Sequence, residues 1–259
     1  MKCIAIILSG GMGSRMNMDI PKQYIEVADR MIITESIRPF MECELVSDIR
    51  IVAEGMWHDR ILDEYEVLGR SYIGEFNLAM SGSAMVQGMY EGVYKFGGFS
   101  EPGANRQLSI LNALRDVADD CNEEDIVIIH DAARPLVSVD MIKKCILAVE
   151  GHDGVMPVLP MKDTVYYSDD GVVVSELLNR DKIFAGQAPE VFRFRKYLEA
   201  CEKLLPDKIM DIRGSTEPAI MAGMDIVMIP GDEGNFKITT REDLERYKEM
   251  LLIKDTNEP

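Results

Sequence analysis

Cysteine, histidine and positive charge are all scarce in this chain. Five cysteines (Cys3, Cys43, Cys121, Cys145 and Cys201) are scattered through 259 residues without a Cys-x-x-Cys pair. Together with the three histidines they make no zinc-like spacing, which excludes a structural zinc module. An odd number of cysteines among apolar neighbours predicts buried free thiols in a reducing compartment, so the cytoplasm is the expected location. No apolar run approaches the roughly 20 residues that span a bilayer. The chain leads at once into a strand-like run rather than a signal segment, and no membrane partner is expected. There are 28 basic residues against 45 acidic ones, a net charge of −17. Such a surface repels nucleic acid and anionic membranes. An anionic substrate must then be drawn in by a local basic pocket, which makes clustered Arg and Lys informative. Internal repeats and low-complexity linkers are also missing, and one domain over 1–259 is the simplest organisation.

What is present reads as α/β. Short β-branched runs bounded by polar turns recur at Cys3–Leu8, Asp48–Ala53, Asp125–His130, Gly154–Leu159 and Asp225–Ile229. Between or after them lie helical patterns. Ile110, Leu111, Ala113, Leu114 and Val117 share one face, and Met141, Ile142, Cys145, Ile146 and Val149 repeat the spacing. Thr240 and Asp243 form a capping-box signature ahead of a helix through Leu251. Alternation of this kind predicts a mostly parallel sheet covered on both sides, with ligands at the carboxyl ends of its strands. The chemistry should therefore lie just past Leu8, His130 and Leu159. Residues 164–178 read instead as a β-hairpin turning at Asp170-Gly171, either a structural arm or a dimer-forming one. Residues 70–99 are rich in Gly, Met and Tyr, and Met85, Met89 and Val93 fall at helical spacing. A core element is the first expectation there, with a lid or a partner face as alternatives.

The chemistry-bearing residues begin at the first strand's end. Leu8-Ser9-Gly10-Gly11-Met12-Gly13-Ser14-Arg15 runs into Pro21-Lys22-Gln23. Glycines let backbone N–H groups approach a phosphate, and Arg15 and Lys22 would neutralise a triphosphate. The loop lacks the third glycine and later acid of a dinucleotide fingerprint, which disfavours a nicotinamide dehydrogenase, and no Gly-Lys-Ser/Thr makes it a P-loop. At the end of the central strand His130-Asp131-Ala132-Ala133-Arg134-Pro135 places a carboxylate facing the same edge. Asp131 suits a magnesium ligand, but equally a partner for substrate hydroxyls or for Arg134. His130 reads as a hydrogen-bonded structural group.

In that register the residues resemble the nucleotidyltransferases related to 2-C-methyl-erythritol 4-phosphate cytidylyltransferase and ribitol 5-phosphate cytidylyltransferase. The resemblance recurs at Gly103-Ala-Asn-Arg106-Gln-Leu-Ser109, at His130–Pro135, at Asn179-Arg180 with Gln187-Ala-Pro189, and at Asn235-Phe-Lys237-Ile-Thr-Thr240. It implies a Rossmann-like α/β/α sandwich of the GT-A-like kind with a protruding hairpin arm. It also implies transfer of CMP from CTP to a small polyol phosphate, a magnesium cofactor and a homodimer formed through the arm. By the same resemblance Arg15 and Lys22 are catalytic. Leu8, Ser9, Gly10, Gly11, Gly13, Gly103, Arg106, Ser109 and Lys237 would hold the nucleotide. Asp131, Arg134, Thr164 and Arg180 would hold the acceptor, with Lys237 able to join Arg180 on its phosphate. One segment departs from the pattern: a usual Thr-Asp-Asp/Glu-Ala is replaced by Arg213-Gly-Ser-Thr-Glu-Pro218. The Gly10-Gly11 pair, Trp57 and the Asn179-Arg180 and Gly186-Gln187 pairs lean toward ribitol phosphate; Ala132-Ala133 leans toward methylerythritol phosphate. Two other readings are a sugar-phosphate nucleotidyltransferase of different base specificity and a non-catalytic nucleotide-binding homologue.

Overall fold

The structure is a computed structural model and describes residues 1–11, 20–79 and 95–257. Its twelve strands among these residues are β1 (Cys3–Leu8), β2 (Glu26–Val27), β3 (Arg30–Met31), β4 (Asp48–Val52), β5 (Phe96–Ser100), β6 (Ile126–Asp131), β7 (Gly154–Pro160), β8 (Val165–Tyr167), β9 (Glu176–Leu178), β10 (Phe184–Gly186), β11 (Glu190–Arg193) and β12 (Ile226–Pro230). The helices are α1 (Ile32–Glu42), α2 (His58–Ala79), α3 (Arg106–Asp116), α4 (Val139–Ala148), α5 (Phe194–Glu202), α6 (Glu217–Met221) and α7 (Arg241–Asn257).

Eight strands form one sheet in the order β10-β7-β11-β6-β1-β4-β5, with β12 on the free side of β7. Its pairing is parallel from β6 through β1 and β4 to β5, and again between β7 and β12. Strand β11 runs antiparallel between β6 and β7, and β10 runs antiparallel to β7. Near-continuous apolar runs such as Cys3–Leu8 form buried strands because both faces are covered. Side chains alternate between the covering layers. Cys3, Ala5 and Ile7 face one core with Ile126 and Ile128, while Ile4 and Ile6 face the other with Val127 and Ile129. On the first side α1 packs Ile33, Ile37, Phe40 and Met41, spaced one and two turns apart, beside α2 and α4. On the second side α3 and α5 contribute Ile110, Leu114, Phe194, Tyr197 and Leu198. Burying each such side chain contributes about 1.5–3 kcal/mol, which outweighs the lack of a side-chain cap on α1 and the Pro39 within it.

The expected helices occupy α3, α4 and α7. Asn105 caps α3 by accepting from Leu108 N–H at 2.8 Å, and Ser138 caps α4 by accepting from Met141 N–H at 3.1 Å. The capping box at Thr240 and Asp243 is formed in both directions, at 3.2 and 2.8 Å. Residues 164–178 contain the antiparallel pair β8–β9. Asp170 stabilises the intervening turn by accepting from Val172 and Val173 N–H, both at 2.8 Å. Of the 70–99 stretch, 70–79 continues α2 and 96–99 belongs to β5. Met85, Met89 and Val93 lie outside the described residues, as do Gly13 and Arg15.

Candidate active site at the carboxyl edge of the sheet

The parallel strands β1, β4, β5 and β6 deliver their carboxyl ends to one edge, where a cleft of about 730 Å³ opens. Its lining includes Leu8, Gly10, Gly11 and Lys22 from the first loop, Glu101 to Arg106 and Ser109 from a second, and Asp131 and Lys237, which form its floor. Two loops must approach closely to make it. A Cβ on Gly10 would stand 2.7 Å from Pro102 Cβ, and one on Gly103 would stand 2.4 Å from Leu108 Cβ. Both positions therefore exclude a larger residue for steric reasons.

The glycine loop is held from behind. Gln23 donates to the carbonyls of Ser9 and Gly11, and the Tyr24 hydroxyl donates to Ser9 O at 3.0 Å. Tyr24 in turn stacks on Trp57, with ring centroids 4.0 Å apart. Ser9 turns its hydroxyl inward to Val52 O at 2.6 Å, so its side chain supports the loop and does not line the cleft. Across the cleft Ser109 Oγ accepts from Gly103 N–H at 2.9 Å and donates to Asn105 O at 3.0 Å. Those bonds fix the 103–106 turn against the first turn of α3. Asn105 also donates to Ile209 O at 2.9 Å, tying the turn to the rest of the chain.

Electrostatically, the floor is organised by Asp131. Its Oδ1 accepts from Arg106 at 3.0 Å, its Oδ2 accepts from Lys237 at 2.9 Å, and Arg134 Nε stands 3.6 Å from Oδ2. Burial alone would raise this acid's pKa; Arg106, Lys237 and Arg134 outweigh burial and hold it well below the usual carboxylate range. Arg134 also donates to Asn235 O at 2.7 Å, and Asn235 donates to Ala188 O at 2.7 Å. The residues of the Asn235–Thr240 loop are thereby anchored to the turn before β11, and Ile238 N–H bonds Ala133 O at 2.9 Å. His130 is fully buried against Phe40, and burial pushes its pKa down to about 3. The imidazole is therefore neutral, and its Nε2 sits 3.3 Å from Arg134 O. It is a structural group.

The cleft thus gathers Leu8, Gly10, Gly11, Lys22, Gly103, Arg106, Ser109, Asp131 and Lys237. Arg134 supports the floor from below. Thr164 and Arg180 do not join them within one chain: both are exposed, and Arg180 donates to Lys162 O at 2.9 Å beside the arm. Sequence reasoning passes over Gln23 and Asn105 as site-building side chains; the hydrogen-bonding reach of Gln23 back to a glycine loop was the available signal for the former. It also passes over Glu190, because an acid at a strand start ordinarily reads as surface charge. The donor set does not suit a resident magnesium ion. Both Asp131 oxygens are engaged by cations, and no cluster of three or more His, Cys, Asp or Glu side chains is arranged for a metal among the described residues. Among the same residues, no helix is long and apolar enough to cross a membrane.

A cleft that presents amide-rich turns and several cations suits a polyphosphate, and comparison with known proteins agrees. The family model for "2-C-methyl-D-erythritol 4-phosphate cytidylyltransferase" matches residues 99–252. The chain is 31% identical to the 2-C-methyl-D-erythritol 4-phosphate cytidylyltransferase of Alkaliphilus oremlandii, over 98% of this chain and 96% of the relative. It is 28% identical to the ribitol-5-phosphate cytidylyltransferase of Streptococcus pneumoniae serotype 2, over 95% of this chain and 97% of that one. The solved 4-diphosphocytidyl-2C-methyl-D-erythritol synthase of Anaerococcus prevotii superposes with a TM-score of 0.74 at 22% identity, covering 97% of this chain and 96% of the other. That likeness establishes the fold.

Proposed function

Because the chain belongs to the 2-C-methyl-D-erythritol 4-phosphate cytidylyltransferase family, we propose that this cleft binds CTP and transfers its CMP group to a small polyol phosphate. The observation that carries the proposal is the convergence of Arg106, Lys237 and Lys22 on one cleft faced by Gly10, Gly11 and Gly103. In this reaction a phosphate oxygen of the acceptor attacks the α-phosphorus of CTP. A new P–O bond forms as the bond to the β-phosphate oxygen breaks, and pyrophosphate leaves with the electron pair. Charge builds on the equatorial oxygens and on the leaving group, so positioning and cations supply most of the acceleration. Lys22, with Arg15 from the same loop, serves that charge; Gly11, whose Cβ direction is open, keeps a side chain out of the cleft, while Gly10 and Gly103 let the two turns pack closely. The attacking phosphate is already ionised at neutral pH, so no general base is required, in keeping with a neutral, buried His130. Magnesium enters this reading as a companion of the CTP triphosphate and not as a ligand of Asp131.

The acceptor belongs on the side of Lys237 and Arg134, where the 187–190 and 235–239 segments meet. Thr164 and Arg180 are assigned to it through the arm of a second copy. The arm supports a homodimer because Tyr166, Val172, Val173, Val174 and Leu177 are all exposed on it, an apolar surface that one chain leaves uncovered. The family's two branches supply the candidate acceptors. Pyrophosphate release with CTP, offered 2-C-methyl-D-erythritol 4-phosphate and D-ribitol 5-phosphate in parallel, tests the reading. Turnover with one of them is the expected result; binding of CTP without turnover on either would remove these acceptors, and failure to bind CTP would remove the nucleotide assignment.

A further inference from the structure

Behind the cleft floor lies a second buried carboxyl, for which the reaction as described has no task. Glu190 opens β11 and is only 8% exposed. Across the β11–β6 ladder it pairs with Ile129, and Asp131 lies two residues further along β6. The two acids therefore share a face of the sheet, the one covered by α3 and α5. Arg106 starts α3 on that face, with Asp131 in front of it.

Glu190 is held by two hydroxyls, Ser215 Oγ and Thr216 Oγ1, which donate to its two oxygens. Both come from the 213–218 segment, where the sequence departs from the family pattern. The contact chain continues away from the acid. Tyr197 OH donates to Ser215 O at 2.7 Å, and Gln107 donates to Tyr197 OH at 3.4 Å and to Cys201 Sγ at 3.1 Å. Gln107 is the residue next to Arg106. Every member of this chain is buried. A polar network closed in this way runs from the start of α3 to the start of β11 and fixes the geometry of both.

Hydroxyls satisfy the carboxyl's lone pairs but bring no opposite charge, and a buried acid is costly without one. Burial raises the pKa of Glu190, and the largest opposing influence is Arg106. Reciprocally, Asp131 and Glu190 are the two acids that favour the charged form of Arg106 against its own burial.

We propose that Glu190 is a positioning residue for Arg106: it lies on the same sheet face as Asp131, which holds the guanidinium, and braces the start of α3 through Ser215, Tyr197 and Gln107. Ser215 and Thr216 keep the carboxyl in place. The inference rests on the reading of the cleft as the CTP site and deepens it: the unusual 213–218 segment acts on the nucleotide side from beneath the floor. In the alternative, Glu190 only ties β11 to that segment.

The two are separated with the full-length protein, Glu190→Gln, and the double variant Ser215→Ala/Thr216→Val. Three quantities are read: CTP affinity by calorimetry, the Arg106 Nε–Hε resonance (assigned by its loss in Arg106→Lys), and the melting temperature. Glu190→Gln is expected to shift the Arg106 resonance and weaken CTP about tenfold, the scale of one charge removed from within electrostatic reach of Arg106 without a direct hydrogen bond being lost. Its kcat at saturating CTP should stay within about threefold, a KM-type defect. The hydroxyl variant should move the same quantities in the same direction by less. An unmoved Arg106 resonance with unchanged CTP affinity, whatever the melting temperature does, overturns the brace. Should Glu190→Gln fail to fold, Thr216→Val alone decides by the same two readouts. Wild-type protein that does not bind CTP would overturn the nucleotide assignment, and the Arg106 resonance would still judge the brace.

Discussion

On the cleft floor Asp131 is 8% exposed and three cations stand against it; on the arm Val172 is 85% exposed and its side chain is left to solvent. The floor is charged yet closed, with Arg134 and Asn235 bonded onward into the chain. The arm is apolar yet open, and its internal bonds, such as those of Asp170 to Val172 and Val173 N–H, shape the turn without covering it. The difference teaches where each region gets its order. The floor is preorganised by one chain, as electrostatic catalysis demands. The arm has a defined shape but no core of its own, and one chain leaves its apolar side chains exposed.

Removing the floor's shared anion should be the most damaging way to break this contrast. Asp131→Ala leaves Arg106, Lys237 and Arg134 without a common partner. It is expected to cost about 3–5 kcal/mol in denaturant unfolding and to abolish measurable turnover. A variant as stable as the parent would show that the floor is not held by charge. Next in size, Lys22→Ala and Arg15→Ala should lower kcat/KM for CTP by about 10²–10³ with little change in melting temperature. Full turnover in either would remove it from the charge-stabilising set.

The arm is tested by changes that should leave the floor untouched. Val172→Asp with Leu177→Asp is expected to give a monomer in sedimentation, each buried apolar contact being worth about 1.5–3 kcal/mol in association. The CTP affinity of that monomer should match the parent's, while acceptor use should fall. A dimer that persists would mean the apolar arm meets something other than a second copy. The smallest effect concerns His130. Its folded pKa of about 3 lies below the unfolded value of about 6.5, so between these limits the unfolded state binds more protons. Stability should therefore fall as pH drops below about 6.5, by up to about 1.4 kcal/mol per pH unit from this residue. His130→Gln should flatten that slope in urea titrations from pH 6.5 to 4.5, even if it lowers stability overall.

Legibility in the sequence follows the same physical division. Strands β1 and β6 announce themselves because strands buried on both faces read as unbroken apolar runs, and β4, β7 and β12 because β-branched residues cluster between polar turns. Strands β10 and β11 do not, since Phe184-Ala-Gly and Glu190-Val-Phe-Arg are short and mix apolar with charged or small residues. Helix α1 is hidden by Pro39 and by the absence of a capping side chain at Met31. Of the site, the loop after Leu8, Arg106, Asp131 and Lys237 are visible as clustered motifs in an otherwise acidic chain, and the family resemblance supplies their roles. What bonds Asp131 to cations from residues 106, 134 and 237 is tertiary: nothing local in those segments encodes which acid they will share. Glu190 is less legible still, because its environment is assembled from β11, α3 and the 213–218 segment together.

The support beneath the glycine loop has an optical consequence. Trp57 is the chain's single tryptophan, and it lies face to face with Tyr24, whose hydroxyl reaches Ser9 at the root of the loop. All indole emission therefore comes from a ring that reaches, through Tyr24 and Ser9, the backbone lining the cleft at Gly10 and Gly11. A ligand that displaces Ser9 is expected to disturb that stack and change the brightness or colour of the emission. The protein thus carries its own fluorescent gauge of loop position, readable in a cuvette without a label.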